Sequence, residues 1–306
     1  MLKDKIKIAL DESRMLILGT QIFLGFQYRA AFEAGFEKLP RSSQILELPT
    51  LIMLLVGVAL LLSPGAYHRI VRDGNDARDV HDFATKVMDL AMIPFALVLG
   101  IDVYVVMRTM FGPLSAVTHG SLTGFAALFF WYGFGLLSSP RKMKPRNGPR
   151  ELPKRATPTE LKDKIDQALT EARVVLPGAQ ALLGFQFLTM LMEGFEKLSA
   201  ASKYVHVISL TLMAVSIVLR MSPAAYHRIV EKGEDTERFH RVASGFLLAA
   251  MVPLPLGICG DAYVVIQKVT HSVGVAVIFS FLILLLFYGL WFGFTFYRRA
   301  QIRNSK

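Results

Sequence analysis

Two aspartates lie inside long apolar runs, Asp102 in LGIDVYVV and Asp261 in ICGDAYVV. A carboxylate facing hydrocarbon costs on the order of 3 kcal/mol, so each is expected to face a bundle interior, to be protonated or to hold a partner. At about 1.5 Å rise per residue both fall roughly 9 Å outward of their helix midpoints. An amide at similar depth is the shared candidate partner, Gln27 for Asp102 and Gln186 for Asp261. Arg29 could also pair with Asp102, but Leu188 stands at the matching position and removes that option for Asp261. Two chemistries fit Asp102, Asp261, Gln27 and Gln186: a proton or cation site, or interhelical hydrogen bonds that fix packing.

Further polar groups recur in pairs. Gly35-Phe36-Glu37-Lys38-Leu39 and Gly194-Phe195-Glu196-Lys197-Leu198 end apolar helices. Glu37 and Glu196 could form an acidic outer mouth that concentrates cations, while a left-handed glycine cap explains the same motif without function. Ser63-Pro64-Gly65-Ala66-Tyr67-His68-Arg69 and its copy ending Tyr226-His227-Arg228 follow apolar helices that proline is expected to end. Tyr67, His68, Arg69, Tyr226, His227 and Arg228 then suit a cytoplasmic interface as headgroup anchors. The histidines could also sense pH and the arginines hold a phosphate or a partner. His81 and His240 are near enough in sequence to join such clusters, with no recognisable metal spacing. The chain has no Walker loop, HExxH, nucleophile elbow or GxGxxG after a strand, so no enzyme and no cofactor are expected.

These groups are positioned by a duplicated helical unit. Leu2 to Leu39 and Leu161 to Leu198 align without a gap at an offset of 159, with 20 of 38 positions identical. The same offset carries Ser63-Pro64 onto Ser222-Pro223, His81 onto His240, Pro94 onto Pro253 and Asp102 onto Asp261. Apolar runs approaching the roughly 20 residues that cross a bilayer predict helices near 15–35, 45–63, 83–108 and 114–137, then 174–193, 203–221, 242–267 and 272–297. The expected fold is an all-α integral membrane protein of eight transmembrane helices in two parallel four-helix repeats, 1–137 and 160–306. A Pro-rich basic linker, 138–159, joins them. Four crossings per unit is an even number, which makes the repeats parallel. Pro94, Pro253 and Pro255 are expected to kink their helices, and Gly120 and Gly124 give a weak GxxxG packing signal.

Net charge is +10. Basic residues interleaved with aromatics would suggest nucleic acid, but here about 27 of 34 Lys and Arg gather on one predicted side and only six on the other. That asymmetry predicts both termini in the cytoplasm. The single Cys259, inside an apolar run, excludes an internal disulfide. The expected partner is the lipid bilayer, with a homo-oligomer allowed and nucleic acid excluded. These features favour, narrowly, a transporter or channel for a small ion or solute over a non-transport scaffold or a module that senses lipid or a partner.

The ordered motifs Glu12-x-Arg14, Leu24-Gly25-Phe26-Gln27, Gly35-Phe36-Glu37 and Ala66-Tyr67-His68-Arg69 resemble a family of small bacterial multi-pass membrane proteins defined only as a domain of unknown function. The likeness covers each half nearly end to end. Members of that family usually carry one unit, so this chain resembles a fused pair. The resemblance implies a bacterial inner-membrane location and supplies no activity, ligand or catalytic residue.

Overall fold

The computed structural model describes residues 2–75, 77–133, 161–231, 234 and 236–304; the expected linker, 138–159, lies outside them. Every described element is helical: α1 (Leu2–Ala30), α2 (Arg41–Arg72), α3 (Arg78–Met110) and α4 (Pro113–Leu128) in the first half. The second half contains α5 (Leu161–Met190), α6 (Ala200–Ile229), α7 (Glu237–Ala250), α8 (Pro253–Thr270), α9 (Val273–Tyr288) and α10 (Phe294–Asn304). One-turn helices, Phe36–Lys38 and Glu193–Glu196, follow α1 and α5, and π-helical turns, Phe129–Gly133 and Gly289–Gly293, follow α4 and α9.

Two expectations about helix ends are corrected. The first helix of each half starts at Leu2 and Leu161, far before the apolar run, because the polar arms carry apolar residues at helical spacing. In the second arm Ile165 and Ala168 are buried against α7. Second, Pro64 and Pro223 do not end their helices but lie inside α2 and α6. Proline within a helix leaves the carbonyl four residues earlier without its donor. Ser63 Oγ donates to that carbonyl, Leu60 O, at 2.6 Å and so lets α2 continue to Arg72.

Left-handed residues stop the chain elsewhere. Asp73 (φ 50°) and Gly74 (φ 75°) end α2, and His271 (φ 57°) ends α8. Gly35 is right-handed (φ −68°), so the expected left-handed cap is absent there; the short turn after it instead buries Phe36. Pro94 sits within a continuous α3, whereas Pro253 coincides with a true break between α7 and α8. Carbonyls freed at that break are bonded from neighbouring helices, Ala250 O by Ser216 Oγ at 2.9 Å and Val252 O by Tyr288 Oη at 2.7 Å.

Five segments are long and apolar enough to cross a membrane by length and composition: Arg41–Arg72, Arg78–Arg108, Ala200–Ala224, Glu237–Thr270 and Val273–Asn304. The halves share one apolar core. Its seam is α1 against α5, where a Cβ on Gly25 would meet the Phe185 ring at 2.1 Å, and Phe26 packs on Phe185, its own repeat equivalent. Tyr28 Oη donates to Ile258 O at 2.6 Å and Trp291 Nε1 to Ala59 O at 2.7 Å, bonds that also cross between halves. The equivalent helices are not equally covered: α8, α9 and α10 pack on α2, whose apolar window is 56% buried against 33% for α6. Within the first half, α3 and α4 meet at Gly100, Gly120 and Gly124, so the GxxxG spacing serves their close approach.

Candidate functional site

Gln27, on the last turn of α1, reaches both α2 and α3. Its Nε2 donates to Thr50 Oγ1 at 2.6 Å and to Asp102 Oδ1 at 3.3 Å. Thr50 Oγ1 in turn donates to the carbonyl of Glu47, one turn earlier on α2. The Glu47 carboxyl stands beside Asp102 on a cavity of about 740 Å3, which Gln27 also lines. Exposed Lys38 and half-buried Arg108 stand on the same cavity. One Glu47 oxygen, Oε2, is buried without a hydrogen-bond partner among the described residues. Arg29 does not pair with Asp102; it binds Glu33, just past the end of α1, at 2.7 Å, with both side chains partly exposed.

The second half uses the same positions differently. Gln186 Nε2 donates to Asp261 Oδ2, and His206 Nδ1 lies 2.9 Å from Asp261 Oδ1. The other ring nitrogen of His206 is 3.1 Å from Gln186 O. Both ring nitrogens of His206 thus face oxygen atoms, while Gln186 Oε1 is buried without a hydrogen-bond partner among the described residues. Gln186, His206 and Asp261 are each 3% exposed, so this cluster is sealed.

At the repeat offset His206 coincides with Glu47, and Ser209 with Thr50. Glu47 therefore adds a second carboxyl where its counterpart supplies an imidazole. The sealing also has a backbone cause. A Cβ on Gly260 would stand 2.1 Å from Ser209 Oγ, and one on Gly257 2.9 Å from Ser209 O, so only glycine lets α8 come this close to α6. Val98 and Ile101 occupy the matching places on α3 and bar the same approach to α2.

The two glutamates of the candidate mouth stand in different surroundings. Glu37 is bound by Lys197 at 2.8 Å and Lys268 at 3.5 Å, both from the second half. Lys197 above all, with Lys268 behind it, holds the Glu37 carboxyl below its usual range, and Glu37 raises Lys197 in return. Glu196 instead offers its backbone carbonyl to Lys203 at 2.8 Å. The pair thus ties the halves at this end, and Arg41 Nη2 adds a bond to Val269 O at 2.8 Å.

The Tyr-His-Arg motifs lie within helices and not in loops after them. Because Pro64 does not end α2, Tyr67 and His68 are buried on its last turns and not laid along a headgroup surface. Tyr67 stacks on Phe83 with centroids 4.7 Å apart and donates to Asp79 Oδ2 at 2.9 Å, a carboxylate that Arg72 also binds at 2.7 Å. Arg69 is 9% exposed and donates to Ser244 Oγ, on α7, at 3.3 Å. In the second motif Tyr226 and His227 pack on Phe239, and the Arg228 side chain lies outside the described residues. His81 sits 3.5 Å from its neighbour Asp82, and His240 faces a cavity with Arg69. Among the described residues no group of three or more His, Cys, Asp and Glu side chains could hold a metal ion.

Sequence reasoning brings each Gln to its Asp but passes over Glu47, His206 and Arg220, an arginine 2% exposed inside α6. Comparing unlike residues across the repeat, Glu47 with His206 and Leu61 with Arg220, would have found all three. No curated protein and no solved structure matches the chain. A model of a family of unknown function, DUF6328, matches it twice, over residues 5–134 and 156–295, together more than half of its length. The chain therefore belongs to that family and carries its unit twice in tandem.

Proposed function

We propose that the protein is an eight-helix membrane transporter or channel for a small cation or proton, inserted in a bacterial inner membrane with both termini cytoplasmic. The first half provides its ion site. The observation that carries this reading is the cavity where Gln27, Glu47 and Asp102 meet, in contrast to the sealed second-half cluster in which the His206 ring lies 2.9 Å from Asp261. Two carboxyls and an amide are hard oxygen ligands suited to a proton or an alkali cation. The orientation rests on the Lys and Arg asymmetry, and the eight crossings add α1, α4 and α5 to the five segments that length and composition identify. Single cysteines at Ser42 and Asn147 in a Cys259-free chain test it: Ser42 is expected to label from outside and Asn147 from inside.

A second reading, a non-transport scaffold or a module sensing lipid or a partner, is favoured by the packed seam between α1 and α5, where a Cβ on Gly25 would meet the Phe185 ring at 2.1 Å. Proteoliposomes separate the two. Wild type should pass protons or an alkali cation down an imposed gradient, and Glu47→Gln and Asp102→Asn should abolish the flux while leaving the folded protein intact. Absence of flux in wild type under proton, Na+ and K+ gradients would favour the scaffold.

A further inference from the structure

At the opposite end of the bundle the halves enclose a second cavity, about 540 Å3, between the ends of α2, α7 and α10. Three arginines from three helices line it: Arg69 from α2, Arg241 from α7 and Arg299 from α10. His240 and the hydroxyl of Ser244 stand beside them. Two carboxylates share the wall, Asp73 and Glu237, and Asp73 is already bound by Arg299 at 3.1 Å. The balance of charge is positive. His240 and Arg241 belong to the first turns of α7, capped by Thr236, so the partial positive end of that helix points the same way. The rest of the wall is apolar, from Ile70, Leu248 and Phe296.

We propose that this cavity binds a phosphate-bearing anion, with the arginines on the phosphate and the apolar wall against whatever it is attached to. Arginine forks match phosphate oxygens in pairs, and 540 Å3 accommodates a headgroup with the start of its chains. Two sources supply that chemistry, an acidic phospholipid headgroup and free phosphate. Because the cavity is built from both halves, its ligand would clamp α2 to α7 and α10. The inference is independent of the ion site in the first half, which lies at the other end.

The test uses the full-length chain in detergent with two probes, phosphatidylglycerol and inorganic phosphate, and phosphatidylcholine as the uncharged comparison. Native mass spectrometry reads retained lipid, and calorimetry reads phosphate. Arg241→Gln and Arg299→Gln are the variants, chosen because both side chains are exposed and their replacement leaves the packed core untouched; Arg298→Gln, whose guanidinium bonds Gln301 on α10, is the control. Each cavity variant should weaken binding about tenfold or more, the loss expected for one charged hydrogen bond, with the control unchanged. Retention of phosphatidylglycerol over phosphatidylcholine assigns the headgroup; phosphate binding without lipid selectivity assigns the free anion. Neither probe bound, or either bound equally by the cavity variants and wild type, overturns the site.

Discussion

His206→Ala separates the two repeat sites by stability alone. The substitution leaves Asp261, 3% exposed, with the Gln186 amide and no cation. Removing one partner of a buried ion pair costs about 3–5 kcal/mol, because the remaining charge is neither hydrated nor paired. At roughly 2 °C per kcal/mol for a chain of this size, the melting temperature should fall by about 6–10 °C. The repeat-equivalent change, Glu47→Ala, removes a carboxyl from a cavity wall where it has a like-charged neighbour, and should cost under about 1 kcal/mol. Replacing His206 and Asp261 together by leucine should recover most of the loss, since no charge is then left buried. Thermal unfolding in detergent, followed through Trp131 and Trp291, measures all three. A His206→Ala protein melting within 2 °C of wild type, or a Glu47→Ala protein equally destabilised, would refute the reasoning.

Gly120→Ala places a methyl 2.8 Å from both Gly100 O and Tyr104 Cβ, while Gly124→Ala finds its nearest neighbour at 3.7 Å. The first should cost about 1–3 kcal/mol and the second much less, and melting temperatures of equal size would show that α3 and α4 do not meet there. The Glu37 carboxyl is held low by Lys197, so the stability it adds is fully present above the unfolded carboxylate value, about 4.3, and is lost as pH falls through its lower folded value. Wild type should therefore show a small loss of melting temperature on acidification that Glu37→Gln lacks, and parallel profiles would contradict it.

The duplication and the two Gln–Asp contacts are legible in the chain because both depend on quantities a sequence carries directly: identity at a fixed offset, and depth along a helix at a constant rise. Each carboxylate needs a partner, and few polar groups lie at the right depth. The continuation past Pro64 is not legible, since it turns on one serine hydroxyl reaching one carbonyl. Glu37 reads as a free acid in sequence because its lysines come from the other half. His206 and Glu47 look like ordinary residues at the start of two helices until the repeat is folded and both arrive beside an aspartate. Repeat identity locates shared structure; the divergence between the copies, glycines against Val98 and Ile101 and histidine against glutamate, is where the halves take different roles.

The proposed ion site rests on one half being open and the other closed to small molecules. Carbodiimide modifies carboxyl groups that it can reach, and peptide mass spectrometry locates the adduct. Wild-type protein in detergent should be modified at Glu47 or Asp102 and not at Asp261, and a saturating alkali cation, or a raised pH if the ligand is the proton, should protect the first-half group. Modification of Asp261 to the same extent, or none at Glu47 and Asp102, would contradict the account.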